Sequence, residues 1–292
     1  MRRQFYFVGA LASVLALPAL AGNDAGGVAS PPTVKVVRPQ DVPPTTRPNS
    51  DFRAGGPAVH RRAISKAKDG SVDLDVGYNV YEPGVGSAEP YAYTKDEFCY
   101  LSTGEVEFDS DGVLVVARSG NLMWRPAGAA TQRTLVRKKS IGVCGFSPAR
   151  DEGHGHRIPP ADVGRWSGDP TKKPRVRWYA VTEVPEVRAT ENPDYAVDGV
   201  TERRLLAVDR DGSPIDVTQY AVQAGVTLAR TPPSGERICW LESGQASLGV
   251  RHQKVLAHDF IYQPAGAAME PLSFYKASVL LCFASPGRGL SG

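Results

Sequence analysis

Histidines are the side chains of this sequence best suited to binding a metal or moving a proton. His154 and His156 have a His-x-His spacing, at which two imidazoles can share one metal ion. Glycines flank the pair and no acid stands at a fixed distance from it, so we interpret the pair as part of a surface loop. His60, His252 and His258 are isolated along the chain, and no nucleophile elbow, phosphate loop or catalytic-triad signature occurs.

Four cysteines form a second set of reactive side chains. Cys99 and Cys144 are separated by nearly the same distance as Cys239 and Cys282. In an exported chain, an even number of cysteines is typical of disulfides, here one within each pair. The alternative is four buried thiols, because cysteine is among the residues most often fully buried and these cysteines have apolar neighbours. The residues alone leave both interpretations open.

The cysteines belong to an internal repeat. The pentapeptide at 126–130 returns unchanged at 264–268, and residues 96–101 return in altered form at 236–241. Upstream, the Asp-Gly-Ser tripeptide at 69–71 recurs at 211–213. Ordered matches whose offset shrinks in small steps indicate two copies of one domain with loops of different length.

Each copy has the pattern of short β-strands. Residues 72–76 and 105–108 alternate between apolar and polar side chains, which is typical of half-buried strands. The turn at 109–112 contains the Asp and Gly residues that tight hairpins favour, and 113–117 is the return strand. No long amphipathic helix pattern occurs. The spacing of the strands predicts an all-β fold of the sandwich or barrel type.

The start of the chain predicts export. Arg2 and Arg3 precede an uncharged apolar run at 5–20, and small residues end it, as in a secretory signal peptide covering residues 1–21. The run is shorter than the roughly 20 residues that a membrane span needs, so a membrane anchor is the weaker alternative. A twin-arginine signal is a minor one. We predict a periplasmic or secreted protein with no membrane contact after cleavage.

Composition divides the rest of the chain. Residues 22–60 are rich in Pro and Gly and predict a flexible segment. The repeats occupy residues 61–150 and 203–287, and the loop-rich insert 151–202 contains one predicted strand at 176–181. Signal cleavage removes two arginines from a chain whose formal net charge is +3, and such a nearly neutral protein is not expected to bind nucleic acid.

Residues 96–128 resemble the cupin superfamily, and within it the ethanolamine-utilisation and ureidoglycine-aminohydrolase type of domain. The resemblance rests on the Asp-Glu-Phe-Cys-Tyr run from Asp96 and on Pro-Ala-Gly at 126–128. It covers about residues 72–146 and extends more weakly over 214–284. It implies one double-stranded β-helix barrel, a relative of the jelly roll, in each repeat, and therefore two barrels in tandem, a bicupin. Because cupins are commonly dimers, a further and weaker alternative is a purely structural or assembly protein that forms a homodimer through barrel-edge strands.

The resemblance further implies a metal site that this chain has mostly lost. Cupin enzymes usually hold a divalent metal with a His-x-His, a Glu four residues beyond it and a third His after the Pro-x-Gly. The corresponding residues are Tyr91, Tyr93, Glu97 and Thr131 in the first repeat and Thr231, Pro233, Arg237 and Met269 in the second. Tyr and Thr hydroxyls are poor substitutes for imidazole at neutral pH. We expect no metal and no other cofactor.

By the resemblance, other side chains line the mouth of the first barrel. The expected ligand-binding residues are Tyr91, Tyr93, Glu97, Trp124, Thr131 and Lys138. Of these, Glu97, Lys138 and Tyr93 would be catalytic if burial shifted a pKa. The alternative is that Glu97 and Lys138 only form an ion pair that closes the barrel. The second repeat keeps Lys276 but has Arg237 in place of Glu97, which fits a structural role or an anionic ligand.

Two functions follow from these residues. The first is an exported bicupin that binds a small polar molecule without catalysis, and the second is a metal-independent isomerase, epimerase or lyase acting through Glu97, Tyr91 or Tyr93, and Lys138. Convergence of Tyr91, Glu97 and Lys138 in one cavity would keep the enzyme as an alternative, whereas neutralisation of Glu97 by an arginine, together with a cavity filled by Trp and Met, would argue against it. We favour binding. Because a cysteine at the Cys99 position also looks typical of cytoplasmic relatives that need no bridge, we favour four buried free thiols.

Overall fold

The computed structural model describes residues 32–45, 58–110, 112–151, 157–158, 160–163, 174–190, 192–229, 231–268 and 270–287. The predicted signal peptide, His154 and His156 lie outside these ranges, as do parts of the Pro/Gly-rich segment and of the insert. Within the ranges, no helix is long and apolar enough to cross a membrane.

The described chain consists mostly of strands, which confirms the all-β prediction. One strand precedes the first repeat, β1 (Lys35–Val37). The first repeat forms β2 (Ala58–Ile64), β3 (Asp75–Tyr81), β4 (Gly86–Ser87), β5 (Ala92–Tyr93), β6 (Asp96–Ser110), β7 (Val113–Arg118), β8 (Asn121–Arg125) and β9 (Arg133–Ser147). The insert adds β10 (Arg157–Ile158), β11 (Arg177–Ala180) and β12 (Val187–Arg188).

The second repeat follows the same plan with shorter strands. They are β13 (Val200–Leu206), β14 (Asp216–Val222), β15 (Thr227–Leu228), β16 (Arg237–Ser243), β17 (Gln245–Leu248), β18 (Gln253–Leu256), β19 (Phe260–Gln263), β20 (Leu272–Phe274) and β21 (Ser278–Ala284). The described helices are all short: α1 (Lys66–Asp69), α2 (Val208–Asp211) and 3-10 helices at Pro39–Asp41, Pro160–Asp162 and Val181–Glu183.

Each repeat forms a barrel from two antiparallel sheets. In the second repeat the strand orders are β1-β19-β16-β21-β14-β13-β12 and β15-β20-β17-β18. In the first repeat the order is β11-β8-β6-β9-β3-β2, and the long strands β6 and β9 continue into the opposite side, where they pair with β7 and β4. The short strands β5 and β10 pair separately. The predicted tandem of jelly-roll-like barrels is therefore confirmed.

The two copies agree in detail at the turn after their first long strand. In each, the last helical residue, Asp69 in α1 or Asp211 in α2, accepts a hydrogen bond from the backbone N–H just before the helix, at 3.0 and 2.8 Å. Gly70 and Gly212 then end the helices with left-handed backbone angles. The repeated Asp-Gly-Ser therefore marks a helix end in both copies.

The strand that passes from one sheet to the other bends at a glycine. Gly104 in β6 and Gly244 between β16 and β17 both have a φ of 98°. A Cβ atom on Gly104 would lie 2.5 Å from the carbonyl oxygen of Lys139. Both the left-handed angle and this close approach require glycine. The bend lets one long strand serve both sheets of the barrel.

A serine on the neighbouring strand stabilises each bend. The Ser140 hydroxyl accepts a hydrogen bond from the backbone N–H of Glu105 at 3.2 Å and donates one to the carbonyl oxygen of Lys138 at 2.6 Å. Ser278 makes the equivalent bonds in the second repeat, with the carbonyl of Lys276 as its acceptor. In both repeats the lysine therefore contributes to the bend through its backbone carbonyl, which accepts the hydrogen bond of the serine.

Each repeat begins with a strand that joins the other repeat's barrel. β1 pairs antiparallel with β19 of the second repeat, whereas β11 pairs antiparallel with β8 of the first. The two registers match, because Lys35 lies opposite Tyr262 and the equivalent Arg177 lies opposite Trp124. A 3-10 helix follows each of the two strands. The barrels thus exchange their leading strands.

The exchange corrects two sequence-based interpretations. The prediction that 22–60 is flexible is wrong at β1 and the 3-10 helix after it. The physical reason is that Val36 and Val37, on opposite faces of β1, pack against two hydrophobic cores. Likewise, 151–202 is more than an insert, because β11 is the leading strand of the second repeat. The strand predicted at 176–181 is present as β11.

The two barrels share one hydrophobic core. The outer face of the first barrel's large sheet, with Phe98, packs against the facing sheet of the second barrel, with Trp240 and Phe260. The buried carboxylate of Glu236, in the second repeat, accepts hydrogen bonds from three successive backbone N–H groups at 72–74 of the first. Apolar burial and this polar contact together join the repeats.

The prediction of four free thiols is wrong. The structure contains two disulfides, Cys99–Cys144 and Cys239–Cys282. In each barrel the two cysteines are direct partners on adjacent antiparallel strands, with Cα atoms 4.0 Å apart. Residues directly opposite each other in such a pair point to the same face of the sheet, so both conditions for a bridge are met.

Candidate functional site in the first barrel

A buried arginine lies at the centre of the first barrel's mouth. Arg125 ends β8, and its side chain is 1% exposed. Its guanidinium donates hydrogen bonds to the Glu97 carboxylate, to the Tyr91 hydroxyl at 3.0 Å and to the Thr131 hydroxyl at 2.8 Å. The guanidinium carbon also lies 4.5 and 5.4 Å from the ring centres of Tyr91 and Tyr93. The cation contacts all four residues that align with cupin metal-binding positions.

Strand pairing brings these groups together. Glu97 in β6 is the direct cross-strand partner of Arg125 in β8, so both side chains point into the barrel. Tyr91 and Thr131 form an isolated antiparallel bridge with two backbone hydrogen bonds of 2.9 Å. Gly128, with a φ of 80°, turns the chain between Arg125 and Thr131. The hydroxyls of the bridge are thereby placed against the guanidinium.

The positive charge of the buried arginine is stabilised by its neighbours. Burial alone would lower the pKa of Arg125, but Tyr91, Glu97 and Tyr93 raise that pKa above its ordinary value, so the guanidinium stays protonated. The Glu97 side chain is 13% exposed and receives a charge-assisted hydrogen bond. A carboxylate held in this way is poorly placed to accept a proton from a substrate.

A cavity of about 130 Å³ lies beside the arginine. Its polar wall residues include Tyr91, Tyr93 and Glu97, which all contact the Arg125 guanidinium. The rest of the wall is mainly apolar and includes Val85, Leu101, Val106, Phe108, Ala117, Met123, Val136 and Trp178. The arrangement can hold an apolar body beside a few fixed polar groups.

The prediction that Trp124 lines this cavity is wrong. Side chains alternate between the two faces of a strand, and Arg125 points into the barrel, so Trp124 points out. It is buried in the core shared by the two barrels, and its indole N–H donates a hydrogen bond to Asp96 at 2.8 Å. Its role is to pack the repeats together.

The predicted meeting of Lys138 with Glu97 is also wrong. The Lys138 side chain is 70% exposed and pairs with Glu105 at 3.3 Å, away from the cavity. The reason is the bend at Gly104, where the backbone carbonyl of Lys138 accepts a hydrogen bond from Ser140 and the amine of Lys138 points to solvent. Both the catalytic pair and the barrel-closing ion pair expected from these two residues are therefore corrected, and the partner of Glu97 is Arg125.

Two wall residues were missed by the sequence-based search. Arg125 does not correspond to a metal-binding position, and only its pairing with Glu97 across a hairpin could have indicated it. Trp178 comes from the exchanged strand β11, and its ring lies 4.6 Å from that of Phe108. Trp178 takes the place in β11 that Val36 takes in β1, an equivalence that only the strand pairing of the structure shows.

The mouth of the second barrel has a different arrangement. Arg237 occupies the place of Glu97 and pairs with Asp194, at 2.7 Å, from the segment between the repeats. Asp194 also accepts hydrogen bonds from the backbone N–H and the hydroxyl of Thr231. Next to it, Tyr195 stacks on Tyr220 at 3.8 Å and covers the second disulfide. A cavity of about 240 Å³ remains there, lined mainly by charged and tyrosine side chains.

The residues of the first barrel do not fit a metal ion. A permanently charged guanidinium occupies the point where the aligned positions converge, and it would repel a second cation. Among the residues that the structure describes, no group of three or more His, Cys, Asp or Glu side chains could hold a metal. We therefore derive no chemistry through a metal.

Comparison with known proteins supports the fold and leaves the activity open. No family model matches the chain, and no curated protein matches it. Solved structures that it resembles include protein Ylba from E. coli, with a TM-score of 0.60, 11% identity, and coverage of 87% of this chain and 92% of that one. Oxalate decarboxylase from Bacillus subtilis gives a TM-score of 0.57, 14% identity and coverages of 87% and 78%.

A third similar structure, from Nostoc punctiforme, is provisionally described as a dioxygenase. Its TM-score is 0.66, with 10% identity and coverage of 90% of this chain and 85% of that one. These neighbours are cupin-type proteins, so the chain has the fold of that superfamily. At such low identity the likeness concerns the fold alone.

Proposed function

We propose that this is an exported cupin-type protein that binds a small polar molecule in its first barrel without catalysing a reaction there. The observation that carries the proposal is the Arg125–Glu97 pair beside an open cavity. An arginine that neutralises Glu97 is the arrangement that favours binding over acid–base chemistry. Lys138, the other group that an enzyme would use, points to solvent.

The cavity suits a small ligand. Its walls combine aromatic and aliphatic side chains with a few polar groups in fixed positions, as small-molecule sites usually do. The second mouth supports the proposal less well, because its cavity of about 240 Å³ is lined mainly by charged and tyrosine side chains and offers little apolar surface to the body of a ligand. We therefore assign the ligand to the first barrel.

Export is part of the proposal and has separate support. Disulfides persist in oxidising compartments and are rare in the cytosol. One bridge in each barrel therefore agrees with the signal peptide predicted at 1–21. The closer kinship with the ethanolamine-utilisation and ureidoglycine-aminohydrolase type is likewise a proposal, supported by the residue pattern at 96–128.

A thermal-shift screen of small acids, amines and sugars, followed by calorimetry on the hits, tests the proposal. The matched variants are Ala117→Leu, which fills the first cavity, and Val255→Leu, which enlarges the equivalent residue of the second barrel. We expect Ala117→Leu to weaken binding at least about tenfold and Val255→Leu to leave it unchanged. The proposal is overturned if no compound binds, or if the hits bind equally well to Ala117→Leu.

A further inference from the structure

The charges in the wall of the first barrel's cavity balance each other. Among the described residues that line it, Glu97 and Arg125 are the only two with charged side chains, and they form an ion pair. A ligand that carried a net charge into this cavity would lose its hydration without gaining a counter-charge. The wall therefore favours an uncharged ligand.

The two members of the ion pair differ in what they offer to a ligand. The Arg125 side chain is 1% exposed, and its terminal nitrogens already donate to Glu97, Tyr91 and Thr131. The Glu97 side chain is 13% exposed, and only its Oε2 atom accepts a hydrogen bond from the described residues. A carboxylate has lone pairs for further hydrogen bonds, so the Oε1 atom of Glu97 is an available acceptor.

This acceptor lies at one end of the apolar cavity. Glu97 lines both that cavity and an adjoining space of about 80 Å³, so it marks the border between the two. A cationic group at this border would meet Arg125, which already neutralises the carboxylate, and an anionic group would be repelled by Glu97 itself. An uncharged O–H donor meets neither obstacle.

The apolar cavity limits the size of the ligand's body. At about 130 Å³ it is close to the cavity of roughly 150 Å³, lined by apolar side chains, that accommodates a benzene molecule in an engineered protein. Phe108 and Trp178 lie against each other in its wall and offer aromatic surfaces to a flat ring. A body of about six carbon atoms would fill this space.

We infer that the ligand is a small uncharged alcohol or phenol, with a ring-sized apolar body in the cavity and a hydroxyl group that donates to Oε1 of Glu97. The inference rests on the proposed function and names the ligand class of the same site. It follows from the balanced charges of the wall and from the one carboxylate oxygen that remains available at its border. A hydrogen bond to an ionised acceptor is stronger than one between neutral groups, so the hydroxyl adds both affinity and orientation.

The test compares four probes that share a phenyl ring and differ in the head group: benzyl alcohol, benzonitrile, benzylamine and benzoate. Calorimetry on the full chain without the predicted signal peptide should give benzyl alcohol an affinity at least about tenfold higher than each of the others. Benzonitrile is uncharged but has no donor, whereas benzylamine and benzoate are charged at neutral pH. Raising the salt from about 0.02 to about 0.3 M should change benzyl alcohol binding less than about twofold.

Variants locate the effect at the carboxylate. Glu97→Gln keeps a carbonyl oxygen for Arg125 but no longer offers an ionised acceptor, so it should weaken benzyl alcohol about tenfold and should not weaken benzonitrile. Glu105→Gln is the matched control, because Glu105 is on the same strand but pairs with Arg118 and Lys138 outside the cavity wall, and it should change neither.

The outcomes separate this inference from the proposed function. If benzonitrile, benzylamine or benzoate binds as tightly as benzyl alcohol, or if folded Glu97→Gln binds benzyl alcohol as the unaltered protein does, the inference fails while the proposed function stands. If Glu97→Gln does not fold, the ranking of the four probes on the unaltered protein decides. If neither these probes nor any compound of the thermal-shift screen binds, both fail.

Discussion

Each barrel mouth contains a buried ion pair, but the acid and the arginine exchange positions between the two barrels. In the first barrel the acid, Glu97, is in the barrel strand and the arginine, Arg125, is on the strand beside it. In the second barrel the arginine, Arg237, takes the strand position of the acid, and Gln263 takes that of Arg125. The acid is then supplied by Asp194, from outside the barrel.

The origin of the acid decides whether the space beside the disulfide stays open. Where both partners come from barrel strands, as in the first repeat, the interior beside the disulfide stays open and is lined by Cys99 and Cys144. Where the acid is brought in by the connecting segment, the next residue, Tyr195, enters the barrel and contacts both sulfurs of the second disulfide. The first copy thus has a mainly apolar cavity beside its disulfide, whereas the larger cavity of the second copy, about 240 Å³, is lined mainly by charged and tyrosine side chains.

The largest expected effect is on stability, and it should differ between the two ion pairs. Arg125→Met should destabilise the protein by about 3–5 kcal/mol, because it leaves Glu97 in a largely buried site without its cation. Arg237→Met should cost less, since Thr231 still donates two hydrogen bonds to Asp194. Urea unfolding measures both losses, and the double variant Arg125→Met/Glu97→Gln should recover part of the first. Equal losses in the two barrels would mean that the two ion pairs contribute alike to stability.

The disulfides should contribute equally to stability but differ in accessibility. They close loops with sequence separations of 45 and 43 residues, so removing either should cost about 4 kcal/mol by the loop-entropy relation. Cys99 and Cys144 both line the first cavity, whereas in the second barrel Cys282 alone lines a cavity and the Tyr195 hydroxyl contacts both sulfurs. Under native conditions a small thiol should therefore reduce the first bridge before the second, as followed by alkylation and peptide mass spectrometry. Simultaneous reduction would contradict the view that Tyr195 shields the second.

A smaller and pH-dependent effect belongs to Asp194. Burial raises its pKa, but hydrogen bonds from Arg237 and Thr231 outweigh burial, so the pKa lies below its ordinary value. A depressed carboxylate pKa adds stability above the unfolded-state pKa, and this stability is lost as the pH falls through the folded-state pKa. Asp194→Asn should therefore cost about 1–3 kcal/mol at pH 7 and progressively less below about pH 4.

Urea unfolding at several pH values measures this difference. Asp198→Asn is the matched control, because that side chain is 95% exposed in the same connecting segment and should show no such trend. A loss of the same size at low and neutral pH would mean that Asp194 acts by packing rather than by its charge.

The smallest expected effect concerns the repeated lysines. Lys138 and Lys276 both point to solvent, and their carbonyl oxygens accept the serine hydroxyls at the two bends. Lys138→Met and Lys276→Met should each change stability by less than about 0.5 kcal/mol and leave ligand affinity unaltered. A clear loss of binding in Lys138→Met alone would return this lysine to the first site.

The repeat and its strands were predictable from the sequence because turns and alternation are local signals. The direction of single side chains was not. Once Glu97 is placed inside the barrel, Arg125 must point in and Trp124 out, but this follows only from the register between β6 and β8. The prediction for Lys138 was wrong because the repetition of a residue does not show whether its side chain or its backbone carbonyl makes the important contact.

The strand β1 and the exchange itself were missed for a related reason, although β11 was predicted as a strand. β1 is short and lies among prolines, and what stabilises it is β19, which is far away in the sequence, in the second repeat. No local pattern reports such a partner. The match between β1 and β11 becomes evident only when both are seen in equivalent places in three dimensions.

The strand exchange has a consequence for fragments of this protein. A polypeptide that ended with the first repeat would present β8 without β11, and one that began with the second would present β19 without β1. Each would have an unpaired sheet edge whose missing strand is carried by the other fragment. Co-expressed as separate chains, the two halves should therefore recover each other as a non-covalent pair, whereas either alone should aggregate. The two fragments would therefore suit complementation assays, in which assembly of the halves reports on the proximity of the proteins fused to them.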